Sequence, residues 1–393
     1  MRFVTAFCAP GFMMTMGVSI TLFTGSRKRI GWSDARILQH FAIRGFLLAL
    51  INFWMTMSFV APSGKPLLLT TVLFALGIDM ILGAIVLLAE TRLTSYLYQR
   101  IENSSLPQHD KDRHQYRLRL ASVLFYLIAA VILAVVITAV TPVYDGATPP
   151  KESDFSFWYL LWVLPYTDMM GDGARIGSVY PPLAWLSVVL WGIFVGKVMT
   201  EFKLGFNDNI KFHTVLSVVL LAIFFPLRAL GGFGNINPGL AHQPGELPWV
   251  AFFNLIKYPP DVAYLTWNLG ANHLFLVLFL LATSTEAAAN APGPWSLRGL
   301  VSRVVPLDAW ETIKSPNNPV MSYGVSSFFF YIGHFQVFFF AAWWMKIFGI
   351  EPFAPGLEYW VAWVAGMWLM FLGCRWYGQF KASQPADSIF RFF

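Results

Sequence analysis

Charge is what this sequence has least of. Asp, Glu, Lys and Arg supply 12% of its 393 residues and hydrophobic residues 56%, where soluble domains carry roughly 25% charged residues. A water-soluble globular chain is thereby excluded, and bilayer hydrocarbon is the solvent that fits. Cysteine is nearly absent too. Cys8 and Cys374 are the two present, and the topology derived below sets one near the outer and the other near the inner surface, too far apart to bridge. The seven histidines are scattered, with no His-x-x-x-His or Cys-x-x-Cys, so no metal site is expected. There is no Gly-x-Ser-x-Gly elbow. Gly231-Gly-Phe-Gly lacks the preceding strand and the immediately following helix of a dinucleotide loop. The absence of an internal repeat, or of a matched pair of Gly/Pro-broken segments, counts against an inverted-repeat transporter.

What the sequence does have is long apolar runs. A spanning helix needs about 20 apolar residues, and 3–26, 45–64, 120–144, 176–196, 262–285 and 315–345 contain no Asp, Glu, Lys or Arg. Shorter candidates are 66–89, interrupted by Asp79 alone, then 212–227 and 359–374. The expected fold is an all-α polytopic transmembrane helical bundle of about nine spans. It forms a single membrane domain over 1–393. Segment 155–170 is broken by Pro165 and ends at Asp168, and reads as a re-entrant or interfacial piece. Residues 1–24 are a retained span rather than a signal peptide, because Arg27, Lys28 and Arg29 follow the apolar stretch instead of preceding it.

The formal charge of +6 sits in short loops between apolar runs, which fits positive-inside topology and not a nucleic-acid partner. Arg27, Lys28, Arg29, Arg36 and Arg44 place 25–44 in the cytoplasm. Arg92, Arg100, Lys111, Arg113, Arg117 and Arg119 do the same for the loop 91–119, a solvated loop or helix end. Lys197, Lys203 and Lys211 fall in an inner loop, 231–250 becomes an outer loop, and 286–320 lies inside. The N-terminus is then outside and the C-terminus inside.

Ionisable groups at membrane depth are costly and mark cavities or partners. Asp79, His273, His334, Lys257 and Arg228 are therefore the candidates. His334 sits in Phe-Phe-Phe-Tyr-Ile-Gly-His-Phe-Gln, where a general base and a neutral, hydrogen-bonded imidazole weigh equally. Asp79 lies between Gly77 and Gly83, and a close packing interface around one satisfied acid is the favoured reading. Pro259 and Pro260 cannot continue a helix, so Asn254, Lys257 and Tyr258 fall at a break, where irregular backbone lines protein or a wet cavity. The structural alternative is a plain helix start with a Lys-Tyr anchor.

Several blocks, in order along nearly the whole chain, resemble one family. These are Phe7-Cys8-Ala9-Pro10 with Met16-Gly17, Ile43-Arg44-Gly45-Phe46, and Tyr180-Pro-Pro-Leu-Ala-Trp185 with Gly192 and Gly196. Phe225-Pro-Leu-Arg228 through Gly234 and Pro238 follows, then Asn254 to Pro260, Tyr331 to Phe335 and Cys374-Arg375-Trp376. The family is the heparan-alpha-glucosaminide N-acetyltransferase catalytic-domain-like group of integral-membrane acyltransferases. The resemblance implies transfer of an acyl group across the bilayer, from acetyl-CoA as co-substrate to a sugar or glycan acceptor. His334 is then the expected catalytic base, and Arg44, Asp79, Arg228, Asn254, Lys257 and Tyr258 shape the donor and acceptor path. Relatives carry an extra first helix, and many have a His where this chain has Ala6. The nine spans therefore resemble a ten-span enzyme lacking its first helix, and a non-catalytic or truncated member that binds or translocates a lipid-linked glycan is the alternative. Expected partners are the lipid bilayer, the acceptor and, as an open alternative, a second copy in a homodimer. The expected setting is a bacterial cytoplasmic membrane, with a lysosomal or other endomembrane as the alternative.

Overall fold

The structure, a computed structural model, describes residues 2–56, 68–142, 155–165, 176–236, 247–283, 315, 318–349, 356–385 and 388. They divide into two compact units, 1–277 and 278–393. The helices of the first are α1 (Arg2–Arg29), α2 (Asp34–Thr56), α3 (Val72–Glu102), α4 (Gln108–Val140), α5 (Phe157–Trp162), α6 (Pro182–Glu201), α7 (Phe206–Leu230) and α8 (Pro248–Phe252), with α9 (Val262–Thr283) running to its edge. The second holds α10 (Pro319–Val325), α11 (Ser327–Ile347) and α12 (Leu357–Ser383). Among the described residues nine helices are long and apolar enough to cross a membrane. The chain is thus an all-α, multi-pass membrane protein. Helices win because hydrocarbon offers no partner to a free N–H or C=O, and an α-helix satisfies its own. α5 has only six residues, about 9 Å of rise, too short to cross.

The first unit is built around α6. Sixteen of its residues are buried, as befits a helix that is apolar all round. α1 lies directly against it through small residues: a Cβ on Gly17 would run into the carbonyl of Val189, and one on Gly192 into that of Met14. One turn further, a Cβ on Gly196 would sit 2.9 Å from that of Thr21. Small residues four apart let two backbones touch, and that contact replaces the hydrophobic drive that lipid abolishes. Gly77 on α3 meets the backbone of Gly45 on α2 in the same way.

Both ends of this bundle are fastened by polar contacts. A two-stranded parallel pair, β1 (Leu68–Thr70) with β2 (Ile176–Ser178), joins the entries to α3 and α6, and the sequence reading did not foresee it. Asn52 on α2 clasps the same corner, donating to Leu69 O at 2.6 Å and accepting from Thr71 N at 3.0 Å. At the other end Lys197, expected in a loop, lies inside α6 and is 6% exposed. Its charge is answered by Glu90 at 3.3 Å and Glu201 at 3.1 Å, and Tyr126 and Thr94 donate to Glu90 at 3.2 and 2.6 Å. With those partners the helix can carry a cation past its apolar stretch. The stretch 91–119 continues α3 and α4 as helix with a turn at 103–107. Most of 286–320 lies outside the described residues.

The α1–α6 contact is open to a direct test. Gly192→Ala should lower stability by about 1–3 kcal/mol, the cost of over-packing where the obstacle is backbone. Gly25→Ala, with nothing within 4 Å of the added carbon, should leave the thermal midpoint of the detergent-solubilised protein unchanged or slightly raised.

Candidate functional site

At the end of the first unit that the charge rule places outside, the start of α6, the end of α7 and the break before α9 converge. Arg228 organises this end. It is 4% exposed and spends each guanidinium nitrogen on a neutral acceptor. Nε donates to Phe252 O at 2.9 Å, one Nη to Asn235 Oδ1 at 2.9 Å and the other to Asn254 O at 2.8 Å. Asn235 in turn donates to Leu227 O at 2.9 Å. Gly231 and Gly232, at φ +68° and +73°, end α7 and turn the chain back so that Asn235 can reach. Asp261 supplies the opposite charge from across the cluster and caps α9, accepting from Tyr264 N at 2.7 Å and Ile236 N at 3.0 Å.

On this scaffold the break before α9 exposes a smaller constellation. The Tyr258–Pro259 peptide is cis and the two prolines are buried. The Tyr258 hydroxyl donates to that of Tyr180 at 3.1 Å, and their rings meet edge to face at 5.0 Å. The ammonium of Lys257 lies 5.5 Å from the Tyr180 ring centre and 5.2 Å from that of Tyr258, a cation–π arrangement. Tyr180 is buried while Tyr258 is partly exposed, so the pair runs from the surface inward, and Trp185 packs behind Tyr180 at 5.2 Å. The expected residues Arg228, Asn254, Lys257 and Tyr258 meet here, joined by Tyr180, which the sequence reading had only as part of a Tyr-Pro-Pro block.

The other expected residues lie elsewhere. Arg44 is on α2 towards the opposite end, where its charge and that of Arg27 bear on His40. Asp79 is fully buried on α3, and the glycines around it pack as expected. Gly77 abuts Gly45, and a Cβ on Gly83 would lie 3.1–3.4 Å from side chains of Val189, Ile193 and Ile20. The acid itself departs from expectation, because both carboxyl oxygens are buried without a hydrogen-bond partner. Glycine packing brings the neighbouring helices too close, and with side chains too apolar, to offer a donor. Buried Trp185 Nε1 and Asn268 Oδ1 are likewise unpartnered. Ala6 falls in the first turns of α1, with its side chain outside the described set.

His334 belongs to the second unit. Its Nδ1 lies 2.9 Å from Phe330 O, and a carbonyl only accepts, so Nδ1 carries the proton and Nε2 is the acceptor nitrogen. The first unit contains an arrangement the sequence did not reveal. Trp191 Nε1 donates to His273 Nε2 at 2.9 Å, and His273 Nδ1 lies 2.9 Å from His213 Nδ1. Indole only donates. Neutral His273 must then hold its proton on Nδ1 and give it to His213, whose own proton is on Nε2. Neither ring keeps an unprotonated nitrogen free, so the pair is a hydrogen-bonded brace across α6, α7 and α9. Among the described residues no group of three His, Cys, Asp or Glu could hold a metal ion.

Two outcomes follow. Burial pushes the Asp261 carboxyl up to about 7, against two backbone N–H bonds and the Arg228 charge that pull it down. An unfolded carboxyl ionises near 4. Between about pH 4 and 7 the folded chain therefore keeps a proton the unfolded chain has lost, and stability falls as pH rises through that window, with a slope approaching about 1.4 kcal/mol per pH unit. Asp261→Asn should flatten the dependence of the unfolding midpoint on pH. At α3, Asp79→Leu removes a buried carboxyl with no partner and should hold or raise the midpoint, by up to about 1–3 kcal/mol. A variant that fails to fold would mean the acid is satisfied after all.

Neither a known protein family nor a characterised protein matches this chain.

Proposed function

We propose that the chain is a membrane-embedded acyltransferase, working in a bacterial cytoplasmic membrane, that moves an acetyl group from acetyl-CoA to a sugar or glycan held at the Tyr180, Lys257 and Tyr258 end of the first unit. One observation carries this reading: four residues singled out as a substrate path, Arg228 from one block of sequence and Asn254, Lys257 and Tyr258 from another, converge with Tyr180 of a third on a single aromatic and cationic end of the bundle. Tyrosine faces and hydroxyls suit a sugar, which offers both C–H surface and hydroxyls. Arg228 holds the loop without being used up by a ligand.

In the reaction the acceptor O–H or N–H attacks the thioester carbonyl. A C–O or C–N bond forms, the C–S bond breaks, and the acceptor's proton leaves with a base while the thiolate departs to be protonated. A neighbouring ammonium such as Lys257 stabilises the developing oxyanion. The base needs an imidazole nitrogen that is unprotonated and not already capped. His213 and His273 offer none; His334 in the second unit does, and it enters as the base on the resemblance alone.

Full-length protein in proteoliposomes, given labelled acetyl-CoA and a panel of glycans, should show turnover. Lys257→Met should lower it about a hundredfold. Tyr258→Phe, which removes one hydroxyl from the chain to Tyr180, should lower it about tenfold. His334→Ala with activity intact removes that imidazole from the mechanism. If acetyl-CoA is neither bound nor turned over with any acceptor, the enzymatic reading is wrong.

A further inference from the structure

The end of the first unit opposite the tyrosines has an arrangement that the proposed acceptor site does not use. α1 stops at Arg29, and Gly31 adopts φ +86°. Trp32 N–H donates to Arg27 O and Gly31 N–H to Lys28 O, both at 3.0 Å. These are the paired bonds of a Schellman cap, and the left-handed residue they need is the glycine. The cap folds Trp32 back over the last turn of α1. The Arg27 guanidinium then lies 4.9 Å from the Trp32 ring centre and 4.8 Å from that of Phe23. Arg36, from the first turns of α2, reaches the same indole at 4.2 Å.

Each guanidinium is attracted to the ring, yet the two repel each other, and among the described residues no carboxylate pairs with either. Asp34 is the nearby acid, and it is engaged by Lys28 at 3.1 Å and Arg92 at 2.5 Å. Among the described residues Arg27, Arg36 and Arg44 have no carboxylate partner. Retention of the loop in the cytoplasm and the helix dipole account for the exposed Arg29. They do not account for buried donors left without acceptors. Arg27 Nε is buried and unpartnered, and so is the hydroxyl of Thr24, one turn earlier on the same face and 3% exposed. Thr21, Thr200 and Thr214 each donate to the carbonyl one turn back. Thr24 does not.

We propose that this corner is a binding site for a phosphate-bearing ligand, with Thr24 and Arg27 donating from α1, Arg36 from α2, and Trp32 fixing the two guanidiniums. Phosphate oxygens accept from several planar forks at once, and their charge offsets the repulsion between the arginines. The positive end of the 23-residue α2 starts here and adds to the field. The same chemistry is offered by a small soluble phosphate and by the headgroup of an anionic lipid at the inner surface. The site stands whether or not the chain transfers acyl groups.

The test uses the full-length protein in nanodiscs of phosphatidylcholine, titrated with inorganic pyrophosphate, and in parallel in nanodiscs containing phosphatidic acid. The thermal midpoint is read in both. Pyrophosphate should raise it saturably, and the Arg27→Gln/Arg36→Gln double variant should weaken half-saturation at least tenfold, while Arg29→Gln should not. A response to phosphatidic acid alone, lost in the double variant, identifies a lipid headgroup as the ligand. Should the double variant not fold, Thr24→Val keeps every charge and should weaken the response severalfold. The proposal is overturned if neither source shifts the wild-type midpoint, if Arg29→Gln is as damaging as the double variant, or if Thr24→Val responds as wild type does.

Discussion

Hydrocarbon gives a buried amide, imidazole or guanidinium nothing to bond to, so each deep polar group in this chain has to find its partner on a neighbouring helix. Most of them do, and the partners they choose fix the bundle. Glu90, Tyr126, Lys197 and Glu201 tie α3, α4 and α6 at one end. Trp191, His213 and His273 tie α6, α7 and α9 in the interior. Arg228 ties α7 to the turn at Asn235 and to the break before α9 at the other end. α6 takes part in two of the three, and the Gly17 to Gly192 approach brings α1 against it closely enough for van der Waals contact to add to these bonds. Precision at the Tyr180 and Tyr258 pair is inherited from this arrangement, because Tyr180 leads directly into α6.

The same constraint makes the exceptions informative. A buried donor or acceptor without a partner costs about 1–3 kcal/mol, and such groups are few in a stable protein. Among the described residues seven hold such groups, and four of the seven fall in two pairs. Thr24 and Arg27 share one face of α1, and Arg27 shares the Trp32 ring with Arg36. Asp79 and Trp185 are each one turn before residues that pack against each other, Gly83 and Val189, so helical register sets them at similar depth on facing helices. In the first case the adjoining arginines make an anion the acceptor that fits. In the second, the indole of Trp185 packs against Tyr180 of the aromatic pair, while the acid lies apart on α3.

Length and charge made the spans legible. An apolar run of the right size has one low-energy fate in a bilayer, and each of the nine expected runs overlaps one of the nine long apolar helices among the described residues. The sequence was much less clear about partners. Lys197 looked like a loop residue because its acids, Glu90 on another helix and Glu201 one turn on, are invisible to a hydropathy count. His213 stood at the edge of an apolar run, though α7 begins at Phe206 and carries it into the membrane. Its bond to His273, 60 residues away, is a tertiary fact with no local signature. The parallel strands escaped for the same reason: three residues each, paired across more than a hundred, carry no period to detect. Arg228, Lys257 and Tyr258 could be found because prolines and glycines announce irregular backbone, and irregular backbone in a membrane needs a reason.

His213, His273 and His334 show why position alone does not assign chemistry. His213 and His273 are the more deeply buried, and burial alone would mark them as catalytic. Their hydrogen bonds argue otherwise. Trp191 can only donate, so it holds His273 in one tautomer and, through it, His213 in one as well. Adding a proton to the pair would set two donors against each other either at the shared contact or at the indole, and the brace would have to break. His334 bonds instead to a carbonyl of its own helix, an acceptor that fixes the proton on Nδ1 and leaves Nε2 able to take another. A histidine bonded to a donor is structural and one bonded to an acceptor can act as a base; in this chain that difference, more than depth, favours His334.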